Sequence, residues 1–189
     1  MFDEYWAPLL GERALGFRWA FTQLRKLPRQ HHIIVETGCM RALYRELDFE
    51  KDGCSTLLFD RYVQHHRGLC YSVDCAVEAV KYAEQFVGWR TRVICNDSLR
   101  FLRDLRGVDR IDLLYLDSFD YDKANPEPSQ QWHLFEFTAA MRLLRHGSLV
   151  MVDDNYLDGS GKGTLIRKFF TAYGIEPACL GRQLGWIMP

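Results

Sequence analysis

The sequence predicts a doubly wound α/β domain: a mostly parallel sheet with helices on both faces. Two observations carry that expectation. Five short apolar runs recur along the chain, separated by stretches with helical spacing, which is the pattern of buried parallel strands joined by crossover helices. Each run also stops at an acid: HHIIVE at Glu36, LCYSVD at Asp74, VICND at Asp97, IDLLYLD at Asp117, and LVMVDD at Asp153 and Asp154. In open α/β sheets ligands bind beyond the carboxyl ends of the strands, so these acids are expected to line one site. Carboxylates crowded together raise each other's pKa unless hydroxyl groups, a cationic ligand or a metal ion meet them. The ligand should therefore suit negative charge.

Taken in order, residues 8 to 27 carry Leu9, Leu10, Phe17, Phe21, Leu24 and Leu27 at mostly helical spacing, and Pro28 marks the stop. This is an added N-terminal helical segment, residues 1–30, which either covers the sheet or makes a homo-oligomer contact. The core, residues 31–189, is expected to hold strands near 32 to 36, 69 to 74, 92 to 96, 111 to 117 and 148 to 153. Helices are expected near 55 to 66, 75 to 86, 98 to 105, 129 to 145 and 162 to 172. Ser129 after Pro128 is placed as an N-cap, Ser55 and Thr56 as caps of the second helix, and Gly147 and Gly174 as helix C-terminal glycines. The tail CLGRQLGWIMP can add one or two closing strands.

Composition narrows the function classes. With 189 residues, 48% of them hydrophobic, the chain can bury one sizeable core, and nothing in it reads as a linker. A formal net charge of −1 gives no support to a general nucleic-acid or membrane-surface role, and the arginines between Arg100 and Arg110 read as a solvated face. No stretch approaches the roughly 20 apolar residues of a membrane span. The six cysteines form no CxxC pair, and Cys70 and Cys95 fall inside expected strands, so a reduced, cytoplasmic protein is expected.

The first strand end sets the ligand class. Dinucleotide enzymes place GxGxxG there, because only glycine lets the backbone approach a pyrophosphate at a helix N-terminus. Here the loop reads ETGCMRALYRELDFEKDGCST, with Gly38 and Gly53 split by a polar insertion, so the pyrophosphate grip is missing. Asp74 still ends the second strand, where a carboxylate meets two ribose hydroxyls. A nucleoside with positive charge and no phosphate fits this edge, and S-adenosylmethionine is such a ligand.

At this point the chain resembles the class I methyltransferases and their Rossmann-like fold. The motifs are VETG at 35–38, DGCSTLLFD at 52–60, YSVD at 71–74, NDS at 96–98, LYLDSFD at 114–120 and VDDN at 152–155. The resemblance implies that Glu36 and Gly38 lie beside the methionine part of the cofactor, and Ser55 counts among the cofactor-binding residues. It further implies that Asp74 holds the ribose, that Asp97 and Ser98 flank the adenine, and that Asp117 faces the reacting centre. The interrupted loop carries no such assignment over Cys39 to Asp52, and that insertion is expected to shape an acceptor pocket.

Asp117, Asp153, Asp154 and Asn155 supply oxygen ligands from two strand ends, a set that hard cations such as Mg2+ prefer. In this they resemble the metal-dependent O-methyltransferases of small molecules. The implied reaction is O-methylation of a small-molecule acceptor, with a divalent ion lowering the pKa of the acceptor hydroxyl. Asp117 counts with the catalytic residues, and the candidate bases are Asp120, His133 and Lys162. GSGKGT at 159–164 departs from the phosphate-loop pattern at two points and is read as a flexible active-site loop opening the last helix. Two rivals stand: a catalytically silent cofactor-binding or assembly protein with the same fold, and a nicotinamide-dependent oxidoreductase, which the absent glycines disfavour.

Overall fold

The computed structural model describes residues 2–41, 49–156 and 159–189. Helix α1 (Arg13–Lys26) precedes β1 (Ile33–Thr37), α2 (Ser55–His66), β2 (Leu69–Asp74), α3 (Val77–Glu84), β3 (Thr91–Cys95) and α4 (Ser98–Asp104). Then come β4 (Ile111–Leu116), α5 (Glu127–Ala140), β5 (Leu144–Val152), α6 (Thr164–Ala172) and β6 (Leu184–Ile187). The sheet runs β3-β2-β1-β4-β5-β6, parallel except for β6, which pairs antiparallel with β5. The order reverses between β1 and β4, which puts the switch point where β1 and β4 end, beside Asp117.

Alternation along each strand divides the core. Leu113 and Tyr115 of β4 join Ile34, Leu149 and Met151 on one face, beneath α1 and α2. Leu114 and Leu116 join Val35, Val150 and Val152 on the other, beneath Phe101, Phe137, Ile166 and Phe170 from α4, α5 and α6. The N-terminal segment is thus an integral layer of the core. Phe17 of α1 has no exposed surface, and its ring lies 5.7 Å from Tyr115 and 5.8 Å from Phe59. Phe17→Ala is expected to lower stability by about 3–5 kcal/mol, the range for deleting a buried aromatic ring. Urea unfolding followed by circular dichroism measures it, and a loss below about 1 kcal/mol would place α1 loosely on the sheet.

Four local expectations are corrected. The helix expected to reach residue 145 ends at Ala140, because Leu144 already opens β5. Gly147 lies inside β5, not at a helix end; its φ of +83° takes up an irregular turn of the strand, and its N–H donates to the Met188 carbonyl. Ser129 is not an N-cap: α5 starts at Glu127 with Pro128 in its first turn, where the missing N–H costs nothing, and the Ser129 hydroxyl donates to the Phe119 carbonyl. Ser55 and Thr56 open α2 as expected, yet their hydroxyls turn to Glu36 instead of capping the helix. Gly174, with φ +71°, does end α6. Cys70 is buried in β2, whereas Cys95 is exposed at the end of β3. No helix among the described residues is long and apolar enough to cross a membrane.

Candidate active site

The loops after β1, β2 and β4 meet over a narrow cleft lined by Gly38, Cys39, Arg41, Asp52, Asp74, Asp117 and Ser118. Gly38 is required by the close approach of the β1 and β4 loops. Its φ is +82°, and a Cβ there would stand 2.4 Å from the Asp117 carbonyl oxygen. Asp74 ends β2 at the cleft wall. Its two oxygens accept the Cys39 and Ala76 N–H groups at 3.1 and 2.8 Å, which fixes the carboxylate while each oxygen keeps a second lone pair for a ligand hydroxyl. The cleft continues into a groove of about 250 Å³ lined by Asp74, Asp97, Ser98, Phe119 and Trp132. The Phe119 and Trp132 rings, 6.2 Å apart, give it aromatic surface on which a base can stack. Asp97 caps α4, accepting the Arg100 N–H at 2.8 Å, and also borders this groove.

Glu36 sits behind the cleft, not in it. It has no exposed surface, and Ser55, Thr56 and Ser72 all donate to its carboxyl group. Burial nevertheless pushes its pKa up to about 7. A second acid of this kind escaped the sequence reading. Glu136 of α5, also fully buried, accepts from Thr37, Ser118 and Trp132 at 3.0, 2.6 and 3.2 Å and is likewise pushed by burial to about 7. The two acids tie the switch-point strands to α2 and α5. They build the walls that carry Ser55, Ser118 and Trp132.

Beyond β4 and β5 the expected metal ligands come together, but with cations supplied by the chain. Lys162 donates to Asp117 and to Asp154, the latter at 3.0 Å. Arg182 holds Asp154 at 2.8 Å, and Arg13 holds Asp153 at 2.7 Å. Asn155 spends its amide on the Val152 and Asp153 carbonyls and its oxygen on the Gly163 N–H. Asp154 has φ +49°, a left-handed conformation that Asp tolerates, and it aims the carboxylate at Lys162. The residues present do not fit a divalent ion. The Asp117, Asp153, Asp154 and Asn155 set is corrected accordingly: each has a partner within the chain, although Asp153 Oδ1 is buried without one, and no cluster of metal-ligand residues occurs among the described residues.

The candidate bases sort by their partners. Asp120 is exposed and forked to Arg41 at 3.1 and 3.2 Å across the cleft mouth. Burial pushes the His133 pKa down to about 3, with the Lys162 charge adding to it, and the ring bonds the Ser129 carbonyl at 2.6 Å; it stays neutral and wholly enclosed. Burial alone would lower the Lys162 pKa, but Asp117 and Asp154 more than offset it and hold the ammonium charged, so Lys162 is no base. Asp117 remains: burial, with the charges of Asp153 and Asp154, raises its proton affinity, Lys162 opposes, and it lines the cleft. The loop at 159–164 is not free: Gly161 bridges to Asn155, and Gly163 is the N-cap of α6.

Arg13, Arg41 and Arg182 had no signal in the sequence, because each reaches the site from a distant element. The insertion expected to shape an acceptor pocket falls in part on residues 42–48, outside the described residues.

No family model and no curated protein matches the sequence. Solved structures do. The O-methyltransferase NovP aligns over 97% of this chain and 88% of its own, with TM-score 0.64 and 12% identity. MycE methyltransferase from the mycinamycin biosynthetic pathway, in complex with Mg, SAH and mycinamycin VI, aligns over 90% of this chain and 48% of its own, with TM-score 0.63 and 15% identity. NSun6 from Pyrococcus horikoshii with SFG aligns over 86% of this chain, which spans 42% of that protein, with TM-score 0.60 and 15% identity. At these identities the likeness is one of fold: the chain has the Rossmann-like fold of the class I methyltransferases.

Proposed function

We propose that this protein is an S-adenosylmethionine-dependent methyltransferase acting on a hydroxyl group of a small molecule. The observation that carries the reading is the cleft at the switch point, with Asp74 fixed for a ribose, Asp52 and Asp117 for positive charge, and no phosphate-binding glycine loop. Transfer from a sulfonium is an in-line displacement, so positioning supplies much of the acceleration. The acceptor oxygen attacks the methyl carbon, the C–S bond electrons pass to sulfur, and Asp117 is placed to take the hydroxyl proton.

Arg106, Arg110 and Arg142 are tied to the fold itself, which supports a small acceptor over a nucleic acid. Arg106 and Arg142 donate to the Arg103 and Leu105 carbonyls at the end of α4, and Arg110 binds buried Asp112 at 3.1 Å. They satisfy groups at the end of α4 and the start of β4, at the opposite end of the strand from the cleft. Calorimetric titration tests the reading: S-adenosylmethionine should bind one per chain, with NAD and ATP binding far more weakly. Asp74→Ala should weaken S-adenosylmethionine binding by about 1.5–3 kcal/mol, the scale of hydrogen bonds to a charged group. Tight NAD binding with no response to the sulfonium compound would sink the proposal.

A further inference from the structure

We propose that Lys162 is the resident cation of this site: its ammonium stands between Asp117 and Asp154, where a divalent ion would otherwise bridge them. Transfer then proceeds without metal, and removing the ammonium opens a divalent-ion site. The chemistry rests on the methyltransferase reading; the geometry does not. Lys162 is 1% exposed, so this is no surface side chain that happens to point inward. Its backbone is held as well: the Lys162 N–H donates to the Asp154 carbonyl at 3.2 Å. The flanking glycines make that approach possible. A Cβ on Gly161 would lie 2.5 Å from the same carbonyl oxygen, and one on Gly163 would lie 2.8 Å from the Asn155 side-chain oxygen.

Charge balance points the same way. Asp117, Asp153 and Asp154 are met by Lys162, Arg13 and Arg182, three against three. A divalent ion added to that set would leave two uncompensated positive charges in a water-poor site, a cost of several kcal/mol per ion. It would also have to share the Asn155 oxygen with the Gly163 N–H that the oxygen already accepts. An ammonium has three N–H groups, and the two carboxylates use two. The buried ammonium thereby fixes Asp117, which lines the cleft and takes the proton of the acceptor hydroxyl. The methyl carbon passes from sulfur to that oxygen and leaves a neutral thioether.

Mn2+ serves as the probe, read by the loss of its free-ion paramagnetic resonance signal, with S-adenosylhomocysteine calorimetry on the same samples. Wild type and Lys162→Arg should leave the Mn2+ signal unchanged at millimolar ion. Lys162→Ala should bind one Mn2+ per chain at least tenfold more tightly, and Asp154→Asn added to it should abolish that binding. Lys162→Gln is read the same way should the alanine variant not fold. One Mn2+ bound by wild type and lost in Asp154→Asn, or a folded Lys162→Ala that binds none, would overturn the proposal. Failure of wild type to bind S-adenosylhomocysteine would instead strike the methyltransferase reading and leave the Mn2+ result to judge Lys162.

Discussion

Arg13→Met should cost about 3–5 kcal/mol of stability, the range for breaking one side of a buried ion pair. Arg13 is 3% exposed and Asp153 is 1% exposed. Burial works against the guanidinium charge, but Asp153 beside it raises its pKa on balance, so Arg13 stays charged. Removing Arg13 strands a carboxylate whose other oxygen already has no hydrogen-bond partner. It also unties α1 from the Glu50 carbonyl, which Arg13 holds at 2.7 Å. Arg13→Met combined with Asp153→Leu should recover most of the loss, because replacing both charges removes the stranded one. Urea unfolding of the two singles and the double measures this. A single-variant cost below about 1 kcal/mol would mean that the pair behaves as a surface contact.

Stability should fall as pH rises from about 5 to about 8. Burial raises the carboxyl groups of Glu36 and Glu136 from 4.5 to about 7. A group whose folded pKa is raised contributes stability that is complete below its unfolded value and lost as pH climbs through the folded one. With each unit worth about 1.4 kcal/mol, the two acids together make this a loss of several kcal/mol. His133 acts in the opposite direction. Its pKa is lowered by burial to about 3, so its contribution is present above 6.5 and fades as pH falls from there. Between about pH 4.5 and 6.5 the two acids outweigh the one imidazole, so the maximum lies at about pH 4.5. Glu136→Gln should roughly halve the alkaline limb and leave the acid limb alone; urea midpoints at about pH 3.5, 4.5, 7 and 8.5 would show it. An unchanged alkaline limb would mean that Glu136 is ionised in the fold throughout.

The fold was legible because its signals are local and repeated. Apolar runs such as IDLLYLD mark β4, and the acid after each run marks the edge where Asp74 and Asp117 lie. The partners of those acids were not legible. Arg13 meets Asp153 from 140 residues away, and Lys162 meets Asp117 across 45, separations at which no spacing rule operates. The same acid pattern that reads as a metal site is, in the fold, an ion-pair cluster, because the compensating cations come from α1, from the β5–α6 turn and from the stretch before β6. Glu36 shows the other limit. A strand-end acid reads as ligand-facing, but the hydroxyls of Ser55, Thr56 and Ser72 pull it inward. Register decides this, and a one-residue difference along β1 is below what composition resolves.

The most direct measurement is a crystal structure of the protein with S-adenosylhomocysteine bound. The ribose hydroxyls should donate to Asp74, the adenine should lie in the groove against Phe119 or Trp132 beside Asp97, and the sulfur should face Asp117. Nucleoside density elsewhere on the molecule, or a ribose out of hydrogen-bond reach of Asp74, would contradict the assignment of the switch-point cleft as a methyl-transfer site.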